Sequence, residues 1–521
     1  MASPVLTEKP KQSVQKIQND FPYFGGISLL YGILFAFSLY RNLFGAAFIL
    51  YAAGTVAVLT MFLNKAGKKV KKETKMYFTA VVLCGISTCI TASGIIWFFN
   101  WCFIIGLFLM AMIAQFFEER EWNAFSYMLY LPSLFFRSVG CLFCPIRDMK
   151  KYFDRMGEKQ NKIDRKMAGF IIVGILCGAG ALMIIVPLLL SSDMIFNQIF
   201  GDMFEMLNFS NITPNMWKII QIFLMILIGT AGIYAFFCAS CMADYPLKPE
   251  RKLPYCHPVV GITFSVIIAA VYLVFSEIQI VYLFLGRGLP EGITYSEYAR
   301  SGFWQLVAVA FINVGMVLGC MYLFRENRWL KWILTVISGC TFVMMISAAY
   351  RMYLYVSAYH LTVLRVLVFW ALAVLAFVMA GVIVSIYKKK FKLITYVIGV
   401  VVCGYLALSF SQPGYWIARY NVSHMETISY YDMCSMMGEL SQDAAPVFAE
   451  LSSEEIAMDE GGGFDRVQVR SLFYHYFTNI SEANRDLPLR KMNVSRMRAK
   501  RAADAHLEKN KELYEGLEAW E

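Results

Sequence analysis

The chain has 521 residues, of which 58% are hydrophobic and 16% charged, with a net charge of +10 and a mean hydropathy of +0.54. A soluble globular domain is about 45–50% apolar and about 25% charged, so this composition excludes one and predicts several membrane spans. The charge is unevenly placed: residues 413–521 carry 12 Lys and Arg against 18 Asp and Glu, which leaves the preceding part strongly basic and suited to anionic lipid headgroups rather than to nucleic acid.

Residues 1–20 are polar and no cleavage pattern follows the first apolar run, so that run reads as a span and not as a removable leader. Apolar runs fall at 22–40, 43–63, 76–92, 95–116, 168–190, 217–241, 259–286, 303–324, 332–356, 361–387 and 393–411, which predicts eleven spans. Lys and Arg in short loops resist translocation. With the N-terminus cytoplasmic, the inner segments hold 27 of them, and the outer loops hold four, Arg41, Arg287, Arg300 and Arg351. The fold class is therefore an all-α polytopic bundle of about eleven transmembrane helices in a plasma or inner membrane, with its C-terminal segment extracytoplasmic.

Residues 124–146 are apolar but contain Pro132 and Arg137, and crossing there would export the basic residues that follow. They read as an interfacial or re-entrant helix. A second such piece is expected at 193–214. After residue 411 no span remains, and the tail reads as a small helical unit with an acidic linker at 453–465 and a surface helix from Ser495, its candidate N-cap. The expected organisation is a cytoplasmic tail (1–21), a four-span bundle (22–116), an inner-face segment (117–167), a seven-span core (168–411) and an extracytoplasmic helical tail (412–521).

The polar residues of the core gather in the stretch 277–302. Glu277 lies deep in an apolar helix, where an ionisable group is costly and is expected to face a partner. Arg351 and Arg365 flank a tight turn and stand at nearly the same depth, so they are its expected partners. Gln279, 200° further round the helix, does not share its face. Arg351, Tyr355 and Tyr359 recur every four residues and form one stripe that offers a cation and phenols to an anionic or polar ligand. The bland alternative is a structural ion pair with an interfacial aromatic belt. Thr294 and Glu297 fit a capping box. The functional version of the same segment makes Tyr295, Tyr298, Arg300 and Gln305 the lip of an outward pocket. Asn313 reads as an interhelical hydrogen-bonding residue.

Two C-x-x-C pairs occur, Cys141/Cys144 and Cys238/Cys241, with Cys256 and His257 nearby. They are far apart in sequence and lack zinc-ribbon spacing, so packed cysteines are favoured over a metal. No metal or cofactor is expected: the histidines show no ligand spacing, and neither a nucleophile elbow nor a P-loop occurs. Asn208, Asn211, Asn421, Asn479 and Asn493 sit in N-x-S/T sequons.

Three motif groups carry a resemblance. They are Phe275, Gln279 and Tyr282; then Tyr295, Tyr298, Arg300, Gly302 and Gln305; then Ser347, Arg351, Tyr355, Tyr359, Thr362 and Arg365. With Asn421, Asp432, Asp443 and Pro446 in the tail, they resemble a bacterial polytopic membrane family classed as domain of unknown function 4173, related to the 4153 group. The resemblance implies a multi-span bacterial membrane protein and brings no established activity. The functional reading is a transporter-like or ligand-binding protein. Its outward site would use Glu277, Gln279, Tyr295, Arg300, Gln305, Arg351, Tyr355, Tyr359 and Arg365, with Asn421, Asp432 and Asp443 as a lid. The ligand would be a small anionic or lipid-like molecule. An envelope sensor or scaffold is the alternative. A membrane-embedded enzyme on lipid-linked substrates, with Glu277 or Asp443 as base, ranks below both because no catalytic spacing is present.

Overall fold

The computed structural model describes residues 10–42, 44–116, 124–159, 212–242, 256–281, 303–388, 390–456 and 466–515. Their regular elements are helices, and none of the described residues forms a strand beyond isolated bridge pairing. Nine helices among them are long and apolar enough to cross a membrane. The chain is an all-α polytopic membrane protein. Of the remaining two expected spans, 168–190 lies outside the described residues. The run at 76–92 forms a helix over Lys72–Ser87 of only 16 residues. It stops early because the backbone of 88–92 is claimed by partners distant in sequence, as shown below.

The chain divides into two compact units. The first comprises Met1–Ile86, Asn100–Tyr245 and Leu489–Lys491. Its helices are α1 (Pro10–Asn19), α2 (Phe21–Leu39), α3 (Ala46–Lys65), α4 (Lys72–Ser87), most of α5 (Gly94–Phe116), α6 (Ala124–Gly140), α7 (Cys144–Lys159) and α8 (Ile212–Met242). Side chains from α2, α3 and α8 meet in a ring cluster, Phe24, Phe62 and Phe237, with centroids 5.1–5.8 Å apart. Helices in lipid gain little from apolar burial against one another, so close backbone approach matters more. Gly32 of α2 shows this: a Cβ there would lie 2.5 Å from the Ile226 carbonyl oxygen of α8. Gly229 of α8 meets Phe35 of α2 in the same way, at 2.8 Å. Replacing Gly32 with valine is therefore expected to force the helices apart and cost about 1–3 kcal/mol, the usual range for overpacking. A lower melting point by fluorescence-detected size exclusion would report it, and an unchanged one would show that the crossing is loose.

The second unit comprises Ser87–Phe99, Pro246–Pro488 and Met492–Glu521. Its span helices are α9 (Pro258–Gln279), α10 (Phe303–Leu323), α11 (Arg328–Tyr359), α12 (Val363–Tyr387) and α13 (Leu393–Phe410). The buried face of α9 is Gly261, Ser265, Ala269, Ser276 and Gln279, steps of three, four and seven residues that keep one side of a helix inward. Asn313 of α10 is fully buried and joins three helices. Its Oδ1 accepts from the Tyr272 hydroxyl at 2.7 Å, and its Nδ2 donates to Thr341 Oγ1 at 2.9 Å, as the sequence predicts.

The tail packs its own core from α14 (Pro413–His424), α15 (Tyr430–Glu439), α16 (Ala445–Phe448), α17 (Arg466–Ala483), α18 (Val494–Lys509) and α19 (Lys511–Tyr514), around Met433, Phe448, Phe473 and Phe477. The N-cap of α18 is Asn493, whose Oδ1 accepts from Arg496 N at 3.0 Å, and not Ser495. Ser495 is unavailable because its hydroxyl donates to Asp443. Residues 457–465, most of the expected acidic linker, fall outside the described residues, as do the expected capping box at Thr294 and most of 193–214.

Candidate functional site

The side-chain amide oxygen of Gln279, Oε1, is a meeting point of polar residues among the membrane helices of the second unit. It accepts from Ser347 Oγ at 2.6 Å and from Arg351 Nη2 at 3.3 Å. Ser347 and Arg351 are one turn apart on α11, so both donors reach one acceptor on α9. All three are buried, Arg351 being 8% exposed. The arginine sits eight residues before the end of α11 at Tyr359, about 12 Å along the helix.

The expected partner, Glu277, does not take part, which corrects the acid–guanidinium pairing read from the sequence. Its side chain is exposed, while the seam of α9 runs through Ser276 and Gln279. One residue is 100° of helix, enough to carry Glu277 off that seam. The chemistry of a carboxylate suggested the wrong residue, whereas helix geometry selects the neutral amide two positions on.

From Arg351 the polar strip continues toward the end of α11. Tyr355 follows one turn later, and the Arg365 guanidinium lies over its ring, 4.3 Å from the centroid. Tyr359 stands beside Tyr355 with ring centroids 5.2 Å apart. Arg365 Nη1 also donates to the Tyr359 and His360 carbonyls, completing the C-terminal end of α11. Gln305 is exposed on α10. Tyr295, Tyr298 and Arg300 lie outside the described residues, so the expected lip of the pocket is not described.

The three expected lid residues hold the tail's own structure. Asn421 is buried and clips Leu361 from both sides, with Oδ1 accepting from Leu361 N at 2.8 Å and Nδ2 donating to Leu361 O at 2.9 Å. Asp432 completes a capping box with Ser429 at the start of α15. Asp443 is 3% exposed. It accepts from the Thr91 hydroxyl at 2.6 Å, the Ala92 N–H at 2.7 Å and the Ser441 hydroxyl at 2.9 Å, and also from Ser495.

A cavity of about 370 Å³ lies beside this aspartate. Ile95, Ile96, Val366, Leu367 and Leu408 make it largely apolar, and Ser93, Ser441 and Glu439 supply polar groups. Val363, Val366 and Leu367 line it from one face of α12, and Arg365 falls between them in sequence on a different face. The cavity and the arginine strip are thus separate features. The cavity was not legible in the sequence, because its walls come from segments 92–99, 363–367, 405–414 and 439–441. Among the described residues no group of His, Cys, Asp and Glu is placed to hold a metal ion.

No curated protein and no solved structure matches the chain. A family model does, and it spans the arginine strip, the Asn421 clip, the Asp443 cluster and most of the membrane helices. The motif resemblance named the 4173 group first and the 4153 group as its relative; the match falls on the latter. Over residues 78–451 the chain matches the domain of unknown function DUF4153, and it belongs to that family.

Proposed function

We propose that this multi-pass membrane protein is a ligand-binding, transporter-like protein of a bacterial plasma membrane. Its polar strip from Gln279, Ser347 and Arg351 to Tyr355, Arg365 and Tyr359 receives a small anionic or lipid-like molecule. The observation that carries this reading is Arg351, a guanidinium buried at 8% exposure within a span-length helix and bonded to a neutral amide on the facing helix. Ionisable groups at such positions are costly and mark ligand or ion paths by default. Arginine is also the side chain best shaped to grip carboxylate or phosphate oxygens. The tyrosines and Arg365 extend that surface to the helix end. Glu277 has no role in this version.

The orientation that goes with it has a cytoplasmic N-terminus and an extracytoplasmic C-terminal tail, supported by the 27-to-four split of Lys and Arg between inner and outer segments. The same split supports anionic headgroups as partners of the inner loops, and the exposed Lys150 and Lys151 of α7 suit that contact. A sensor or scaffold working through that basic face is the second reading.

The test is native mass spectrometry of the full chain released from nanodiscs containing phosphatidylglycerol or phosphatidylcholine. Arg351→Gln is expected to lose the most firmly held anionic molecule, with affinity reduced about tenfold or more, equivalent to about 1.4 kcal/mol. Arg351→Lys should retain part of it. Equal occupancy in wild type and Arg351→Gln would remove the strip as a binding site. Loss of signal only after neutralising the lysines of 65–75 would favour the scaffold reading.

A further inference from the structure

The C-x-x-C pair Cys141/Cys144 lies in the first unit within electrostatic reach of Cys238, a member of the other pair and 97 residues from Cys141 in sequence. Cys141 lies in the turn between α6 and α7, and Cys144 opens α7. Cys144 N donates to Cys141 O at 2.8 Å. A turn closed in this way keeps its end Cα atoms within about 7 Å, which is inside disulfide reach. Cys141 is partly exposed and Cys144 is buried. Arg147, one turn into α7, donates from Nη2 to Cys144 Sγ at 3.3 Å. Asp148, with a fully buried side chain, holds that arginine through Nε at 3.3 Å. It is itself fixed by Gln18 Nε2 of α1 at 3.0 Å and the Tyr234 hydroxyl of α8 at 3.2 Å. From α8, Cys238 is close enough to interact electrostatically with Cys141, and Cys144 acts in the same way on Cys238.

The two thiols differ in a way that suits them to distinct roles. A hydrogen bond from Cys144 lowers the Cys141 thiol to about 7, with Arg147 adding to it against burial and the charges of Cys238 and Asp148. Cys144, as the donor of that bond and by its burial, is pushed the other way. An attacking thiol works best when its pKa lies near the ambient pH. No group of three or more ligands stands ready for a metal among the described residues, which favours thiol chemistry over a zinc tetrathiolate.

We propose that Cys141 and Cys144 form a redox-active dithiol that reduces a low-molecular-weight disulfide, Cys141 attacking and Cys144 resolving. The Cys141 thiolate attacks one sulfur of the disulfide RS–SR, forms a mixed disulfide and releases RS⁻. Cys144 then attacks Cys141 Sγ, breaking the mixed disulfide and releasing the second RS⁻. The proton of Cys144 and the one Cys141 shed on ionising end on the two departing thiolates. The balance is two protein thiols oxidised to one internal disulfide and one RS–SR reduced to two RSH. Arg147 touches the sulfur that becomes anionic in the second step and stabilises it. Asp148 is a positioning residue that orients Arg147.

The experiment uses the full chain in nanodiscs, reduced and then exposed to oxidised glutathione at neutral pH, acid-quenched, alkylated and mapped by peptide mass spectrometry. Wild type is expected to yield a Cys141–Cys144 disulfide. Cys144→Ser should instead accumulate glutathione on Cys141, and Cys141→Ser should give neither product. Arg147→Gln should slow conversion of the mixed disulfide about tenfold, the effect of one pKa unit. A measurement on the unmutated chain stands independently of any variant's folding. Alkylation of Cys141 should be half-maximal near pH 7 and should outpace that of exposed Cys256 at that pH. A Cys141 no more reactive than Cys256, glutathione on Cys144 in place of Cys141, or one tightly held zinc that shields all four thiols would each overturn the proposal.

Discussion

Removing the carboxylate of Asp443 is expected to destabilise the second unit by about 3–5 kcal/mol, because a hydrogen bond to a charged group contributes about 1.5–3 kcal/mol and several are lost together. Four donors converge on this side chain, three of them hydroxyls (Thr91, Ser441, Ser495) and one the backbone N–H of Ala92. In Asp443→Ala all four lose their acceptor in a site from which water is largely excluded. Asp443→Asn is the informative contrast. Its amide oxygen still accepts from Ala92, and its NH₂ meets hydroxyls that can rotate and accept in turn. The asparagine variant should therefore lose only about 1 kcal/mol. Thermal unfolding of the two variants would measure the difference, and equal losses would mean that the cluster depends on charge rather than on hydrogen-bond direction.

A local signal should accompany the global one. Residues 88–92 are held by the tail. Cys89 O accepts from Val494 N at 2.7 Å, Asn493 Nδ2 donates to Thr88 O and Thr91 O at 2.8 and 2.9 Å, and Gln412 Nε2 donates to Ile90 O at 2.7 Å. The Cys89 thiol itself lies 3.8 Å from Met492 O. Loosening the cluster by Asp443→Ala should make Cys89 react faster with maleimide, while Asp443→Asn should leave its rate near wild type. These bonds also explain why α4 ends at Ser87 when the apolar run continues to Ala92. Local hydrophobicity favoured more helix, and contacts from more than 300 residues away in the chain took the backbone groups instead.

Those contacts mark the boundary of what the sequence reveals. Span-length apolar runs need only about 20 consecutive residues, so the membrane helices of the described residues are legible from composition. The face shared by Ser347, Arg351 and Tyr355 is likewise a matter of spacing by four. The error at Glu277 arose where chemistry and geometry gave different answers: the sequence offered both a carboxylate and an amide, and only the α9 seam decides between them. The donors that Asp443 gathers from 91, 92 and 495 cannot be foreseen from its sequence neighbours. The approach of Cys238 on α8 to Cys141 in the α6–α7 turn is hidden for the same reason. Ser495 and Asn493 are both good capping residues, and what decides between them is that Ser495 is committed to Asp443.

Replacing Asn421 with alanine is expected to cost about 2–4 kcal/mol, because it orphans the Leu361 N–H and leaves the Leu361 carbonyl short of a partner. The turn that it clips is strained. His360 has φ 61° and ψ 177°, a region that favours glycine and costs other residues about 1–3 kcal/mol. Three elements hold it there: the end of α11, the start of α12 and the Asn421 amide, while Arg365 grips the carbonyls of Tyr359 and His360. His360→Gly should therefore stabilise the protein by about 1 kcal/mol, and it should offset part of the loss in Asn421→Ala. A double-mutant cycle by thermal unfolding separates the contributions. If the clip serves chiefly to hold the strained turn, the two substitutions will couple, and His360→Gly will rescue Asn421→Ala by more than it stabilises wild type. Strict additivity would instead make the clip an independent strut between α14 and the α11–α12 turn. A glycine that destabilises both backgrounds would show that the imidazole, and not the backbone, is what position 360 needs.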